Sequence, residues 1–280
     1  MEESPFIGND EKPRLIDCAV LFFDLLGVSA MAKGSKADGE LNRFGDAIRD
    51  AVRYPIGTAT PEAGPGAYPA SVFSDSVVQA VPLVEGLPPA AAIFQVLIEV
   101  AQLQTDFALR DYFARGAITL DKFHSYKGLL FGPALVEAVG LERDVAVSPR
   151  IVISPAASAA LLRARGAGDG EKPFYQAAPV LVDEDGVAFV DYLTGAFQAD
   201  PEIEMQEKLR SHRSVVEAQL EEQATNFHRW SKHRWVAEYH NATCFTYREE
   251  LKKHGGFETF LVDSIHTQRR FTALTPAGQG

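Results

Sequence analysis

The chain has 280 residues, of which 46% are apolar, and 38 acidic against 27 basic side chains leave it at a net charge of −11. That length and apolar content suffice for one large domain or a domain with an appendage. The negative charge argues against broad binding to nucleic acid or to anionic membrane surfaces. Cys18 and Cys244 make no disulfide framework, which suits a reduced, cytoplasmic protein. The acidic start Met1-Glu-Glu-Ser-Pro5 lacks the apolar stretch of a signal peptide, and no apolar run approaches the roughly 20 residues of a membrane span. The expectation is a cytoplasmic protein with neither nucleic acid nor membrane as partner.

Residues 1–14 are polar and read as a loose terminus. Cys18-Ala-Val-Leu-Phe-Phe-Asp24-Leu-Leu-Gly27-Val28 is an apolar run that meets one carboxylate and breaks at a glycine. Such a run predicts a buried strand over 16–24 with an acid at its end. Gly27 then permits a sharp turn into a helix over 28–52. Residues 55–69 are a loop by composition. Ser71-Val-Phe-Ser-Asp75-Ser-Val-Val-Gln-Ala80 predicts a hairpin over 70–82 with a second acid at its tip. Pro88-Pro89 opens a helix to Arg110. Strands are expected over 113–121 and 126–131, then a helix from Gly132-Pro133 to Leu141, a strand over 150–154 and a helix over 155–165. Residues 180–190 read as a hairpin turning at Asp185-Gly186, and 200–255 as helix. This order predicts an α+β fold, a mostly antiparallel or mixed sheet with helices packed on one face.

The two acid-bearing stretches and Arg115-Gly-Ala-Ile-Thr119 resemble, in order and spacing, the catalytic domain of class III nucleotide cyclases. That family carries Phe-x-Asp-hydrophobic-x-Gly at the end of a strand, a Gly-Asp-x-hydrophobic hairpin, and Arg-x-Gly-Ile. Phe22-Phe23-Asp24-Leu25-Leu26-Gly27 matches the first, and Phe73-Ser74-Asp75-Ser76-Val77 the second with Ser74 in place of glycine. Arg115-Gly116-Ala117-Ile118 matches the third. The similarity covers residues 16 to 165. It implies a ferredoxin-like cyclase core over 15–195, with 196–280 as a helical C-terminal extension outside the resemblance.

Cyclisation requires a nucleoside triphosphate's own 3′-hydroxyl to attack the α-phosphorus while pyrophosphate leaves in line. The resemblance implies two divalent ions, Mn2+ or Mg2+, held by Asp24, Asp75 and the Leu25 backbone carbonyl, because such ions take hard oxygen ligands. Arg115 would contact the triphosphate, for which a guanidinium fork is suited. The Leu25-Leu26-Gly27-Val28 turn would offer N–H groups to the β- and γ-phosphates.

The chain also departs from the family. A following Val-Asn-x-Ala-x-Arg-Leu-Glu segment supplies the ribose-orienting Asn and a transition-state Arg; here Val136 and Gly140 stand there, before Leu141-Glu142. Either the chain does not turn over or other groups, with Arg143, Arg150, Lys122 and His124 as candidates, carry that load. The residues that read purines in adenylate and guanylate cyclases are replaced by Ser71 and Leu129. With Lys127-Gly-Leu-Leu-Phe-Gly-Pro-Ala-Leu-Val-Glu-Ala138 and Pro149-Arg150-Ile151, the chain is similar to the pyrimidine cyclases of the bacterial Pycsar antiphage system. Those are homodimers with sites at the interface, making cyclic UMP or cyclic CMP for a separate effector. The resemblance implies a UTP-favouring enzyme, with cytidylate cyclase and a degenerate nucleotide-binding module as alternatives, and a base pocket bordered by Tyr54, Ser71 and Leu129.

Overall fold

The computed structural model describes residues 4–8, 10–28, 37–53, 71–166, 177–199, 205–263 and 269–275. The elements in chain order are β1 (Ile16–Leu25), α1 (Ala37–Arg53), β2 (Ser71–Phe73), β3 (Ser76–Pro82), α2 (Pro89–Leu109), β4 (Ala114–Tyr126), β5 (Leu129–Phe131) and α3 (Pro133–Asp144). There follow β6 (Ile151–Ile153), α4 (Pro155–Gly166), β7 (Val180–Val182), β8 (Ala188–Val190), α5 (Tyr192–Ala199), α6 (Met205–Glu222), α7 (Phe227–Thr246), α8 (Arg248–Leu251) and β9 (Thr272–Ala273). The strands form one sheet in the order β2-β3-β1-β4-β6-β8-β7-β9, with β5 paired to β4. Only β4 and β6 are parallel among these pairs. The fold is α+β with a central, mostly antiparallel sheet, as the element order predicts.

Strand β1 is the middle of the sheet because both of its faces are apolar. Ala19, Leu21, Phe23 and Leu25 point into the main core with Ile93, Leu97 and Val100 of α2. Cys18 and Val20 point the other way, onto Val78, Ala80, Phe123 and Ala134. Helix α3 covers this second face through Ala134 and Ala138. Helices therefore pack on both faces of the sheet, not on one. A half-solvated strand alternates apolar and polar residues, whereas β1 does not alternate until Asp24.

Other boundaries also differ from the sequence expectation. β4 runs unbroken through Asp121-Lys-Phe-His-Ser125, where polar residues suggested a break; Phe123 and His124 are buried there. By length and composition alone α2 could cross a bilayer, but 61% of its apolar window is buried inside the protein. The helical stretch after residue 200 breaks before Asn226, whose side chain accepts a hydrogen bond from the Arg229 N–H at 3.2 Å and starts α7.

The C-terminal elements share the main core. Leu209, Val216 and Leu220 of α6 and Trp235, Val236 and Tyr239 of α7 are buried in it, and β9 extends the sheet beside β7. A buried ionic knot fastens α7 to the sheet. Trp235 Nε1 donates to Asp183 at 2.9 Å, and Asp183 also takes ion pairs from Arg150 and Arg269.

Candidate active site

The end of β1 is where the sheet's chemistry gathers. Asp24 lies directly opposite Ser76 on β3 and Arg115 on β4. Residues paired across a ladder point to the same face, so the pairing brings these three side chains together. Asp75 occupies the turn between β2 and β3, and its carbonyl accepts the Leu25 N–H at 3.2 Å. Ser74 precedes it with φ of 58° and donates from its hydroxyl to the Asp75 carboxylate at 2.8 Å. A glycine would suit this position, because the turn needs a left-handed backbone, which serine adopts at a cost.

Burial, then the neighbouring Asp75 and Glu142 charges, push the Asp24 carboxyl up to about 6, with Arg115 pulling against them. Arg115 lies 3.8 Å from Asp24 and 2.7 Å from Glu142, and its Nε is buried with no hydrogen-bond partner among the described residues. Burial also raises Glu142, against the attraction of Arg115 and Lys232. The site thus crowds three carboxylates around one guanidinium that still has a donor to give. Such a like-charge cluster would be relieved by a divalent cation.

The donor set fits that role. Among the described residues no three His, Cys, Asp or Glu side chains form a closed metal cage. Mg2+ at a phosphate site needs only one or two carboxylates, the rest of its shell being water and phosphate oxygen. Asp24 and Asp75 are such a pair.

Gly27, with φ of 90°, turns the chain after β1 in a conformation that disfavours side chains. Leu26, Gly27 and Val28 form one wall of a cleft of about 660 Å³. The facing wall is the start of α7, with His228, Arg229, Lys232 and His233; Asp111, Gln219 and Glu222 close another side. Burial, followed by the Lys232 and Arg229 charges, holds the His233 imidazole down at about 4. His233 is therefore neutral at physiological pH, and its buried Nδ1 has no hydrogen-bond partner among the described residues.

Asp24, Asp75 and Arg115 are not among the residues that line this cleft, and the remaining candidates lie elsewhere. Ser71 is half-buried on β2 opposite Val78, and Leu129 is exposed on β5 opposite Tyr126; neither lines this cleft. Tyr54 lies outside the described residues. Of the groups considered for the missing Asn and Arg, Arg150 is locked to Asp183 and Asp185. Arg143 pairs with its neighbour Asp144, Lys122 with Asp17, and His124 with the Arg14 carbonyl. Sequence reasoning missed the basic wall. Its signal is His228-Arg-Trp-Ser-Lys-His-Arg234, a cationic run in an acidic chain. Arg229 and Lys232 stand three apart in that run and so share one helical face.

No family model and no curated protein matches the chain. Among solved structures it is similar to the catalytic core of a rhodopsin-guanylyl cyclase with converted specificity, in complex with ATPalphaS. The identity is 16% and the TM-score 0.37, over 52% of this chain and 81% of that one. A likeness that distant carries no argument about chemistry.

Proposed function

We propose that this chain is a nucleotide cyclase that converts a nucleoside triphosphate to its 3′,5′-cyclic monophosphate and pyrophosphate. The substrate is a pyrimidine triphosphate, UTP ahead of CTP. The enzyme acts as a homodimer, and its product signals to a separate cyclic-nucleotide-sensing effector in antiphage defence. The observation that carries the cyclase reading is the convergence of Asp24, Asp75 and Arg115 beside the Gly27 turn. The pyrimidine preference draws on Ser71 and Leu129, which stand where purine-reading side chains are expected. Exposed apolar side chains, Phe73, Phe131 and Val136, support a second copy as partner.

In the reaction the 3′-hydroxyl gives its proton to solvent and its oxygen bonds to the α-phosphorus. The bond from that phosphorus to the bridging oxygen breaks, and its electron pair leaves on pyrophosphate. Asp24 and Asp75, with the Leu25 carbonyl, would hold Mg2+ or Mn2+. When bound, these ions lower the hydroxyl pKa and neutralise the leaving group. Arg115, shared between Asp24 and Glu142, would turn its guanidinium to a phosphate oxygen. The Leu26–Val28 turn lines the cleft where the phosphate chain would lie, with the Leu26 N–H given to the Phe113 carbonyl at 2.8 Å.

The test is incubation with each of the four nucleoside triphosphates and Mn2+, followed by chromatography. Pyrimidine triphosphates are expected to cyclise at least about tenfold faster than ATP or GTP, because a mismatched base leaves buried polar groups unpaired. Asp24→Ala and Asp75→Ala should abolish product while keeping the circular dichroism of the wild type. Wild-type rates in either variant would remove the metal assignment, and preference for a purine would remove the pyrimidine one. Binding without any cyclic product would leave the degenerate module, which Val136 and Gly140 suggest.

A further inference from the structure

The cleft beside the Gly27 turn is lined by Arg43, Arg229 and Lys232 against Asp111 and Glu222. Its acidic members are already engaged: Gln219 donates to Asp111 at 2.9 Å and to Glu222 at 3.2 Å, and Arg43 lies 3.9 Å from Asp111. Arg229 and Lys232 have no ion pair among the described residues. Lys232 is half-buried, which is costly for an ammonium without a partner. Burial is the main cause that lowers its pKa, followed by the Arg115 charge, with Glu142 and Asp24 acting the other way. Lys232 lines the cleft, and the Glu142 and Asp24 charges act on it. Its placement is fixed by Trp235, one turn further along α7, whose indole is bonded to Asp183.

We propose that Lys232, with Arg229, is a phosphate-holding residue of the site: from α7 it grips the β- and γ-phosphates against the Leu26–Val28 turn and stabilises the departing pyrophosphate. This assignment rests on the cyclase reading above and deepens it. It gives the C-terminal helices a chemical role in the same chain. A phosphate chain is the ligand class that fits. The cleft sets the Leu26–Val28 turn in the same lining as Arg229 and Lys232, two cations outside any ion pair among the described residues. The buried Nδ1 of neutral His233 is a further polar atom on that wall.

The experiment measures binding of inorganic tripolyphosphate to the full chain by calorimetry, in Mg2+, alongside turnover. Removing one charge-assisted phosphate contact in Lys232→Gln should weaken tripolyphosphate binding at least about tenfold and lower kcat/KM by a similar factor. Lys232→Arg keeps the charge and should bind within about threefold of wild type. The exposed control Lys252→Gln should match wild type, and thermal melts check that each variant is folded. Unchanged binding in folded Lys232→Gln, or no binding by wild type, overturns the inference even if cyclic product forms. Conversely, absence of cyclic product from any triphosphate, with the Lys232 effect on tripolyphosphate intact, overturns the cyclase reading and leaves a phosphate-binding cleft.

Discussion

Gly116 is the position where one methyl group should do the most damage. It sits on β4 opposite Phe23 of β1, in the middle of the sheet. A Cβ there would lie 2.2 Å from the Phe22 carbonyl oxygen and 2.6 Å from both Cα and Cβ of Phe23. These are backbone atoms or atoms rooted on the backbone, so no rotamer change can clear them. Two effects of Gly116→Ala oppose each other. Restricting the unfolded chain stabilises by about 0.4–1 kcal/mol. Overpacking a well-packed core costs about 1–3 kcal/mol, and more where the neighbour cannot yield. Phe23 is fully buried and both flanking strands are paired, so the cost takes the upper end. The net loss is then about 2–3 kcal/mol, which in a domain of this size lowers Tm by roughly 5–10 °C. The strands can relieve the overlap only by separating, which carries Asp24 away from Arg115, so cyclase turnover should fall as well. Thermal melts and urea midpoints at unchanged m-value read the stability term. A variant with wild-type Tm and wild-type turnover would refute the close approach of β1 and β4.

Two further outcomes follow from buried charges. Burial pushes the Glu99 carboxyl on α2 up to about 8, against one hydrogen bond from Gln95. A raised carboxyl means that the folded state holds a proton the unfolded chain releases. The stability from this group is present in full below its unfolded pKa near 4.5 and is lost as pH rises through about 8. Glu99→Gln should therefore exceed wild type by on the order of 3 kcal/mol at about pH 9, with the gap closing below about pH 5; urea midpoints of the two proteins that run parallel across that range would contradict it. Asp183→Asn leaves Arg150, itself 3% exposed, and Arg269 without their shared carboxylate. The expected loss is about 3–5 kcal/mol by denaturant titration, and KM should rise as α7 loses its anchor.

How far these features were legible depends on whether the physics was local. β1 and its terminal acid are readable because apolar neighbours, a carboxylate and a glycine stand together in one short run. The meeting of Asp24 with Asp75 and Arg115 follows from strand order, which the motif spacing carried. The second covering helix could have been inferred from Cys18 and Val20, since a strand without alternation needs partners on both faces. The continuity of β4 was hidden by Lys122 and Ser125, polar residues that long strands tolerate where one face reaches solvent. The placement of Lys232 in the cleft had no local signature: Trp235 on the same helix docks on Asp183, a contact between residues 52 positions apart.

That docking also answers a question raised by the net charge. A chain at −11 repels a triphosphate at long range, and Asp24, Asp75 and Glu142 add local repulsion at the site. Screening at physiological salt reduces the long-range part beyond a Debye length of about 8 Å, so the local balance decides. In that balance Arg115 is already shared between Asp24 and Glu142. A divalent ion at the carboxylates would neutralise them but leaves the distal phosphates uncovered. Arg229 and Lys232 are in no ion pair among the described residues, and α7 brings them to the cleft that the glycine turn lines. On the proposed function, phosphate affinity in this acidic protein then depends on the helix that carries them being held against the sheet.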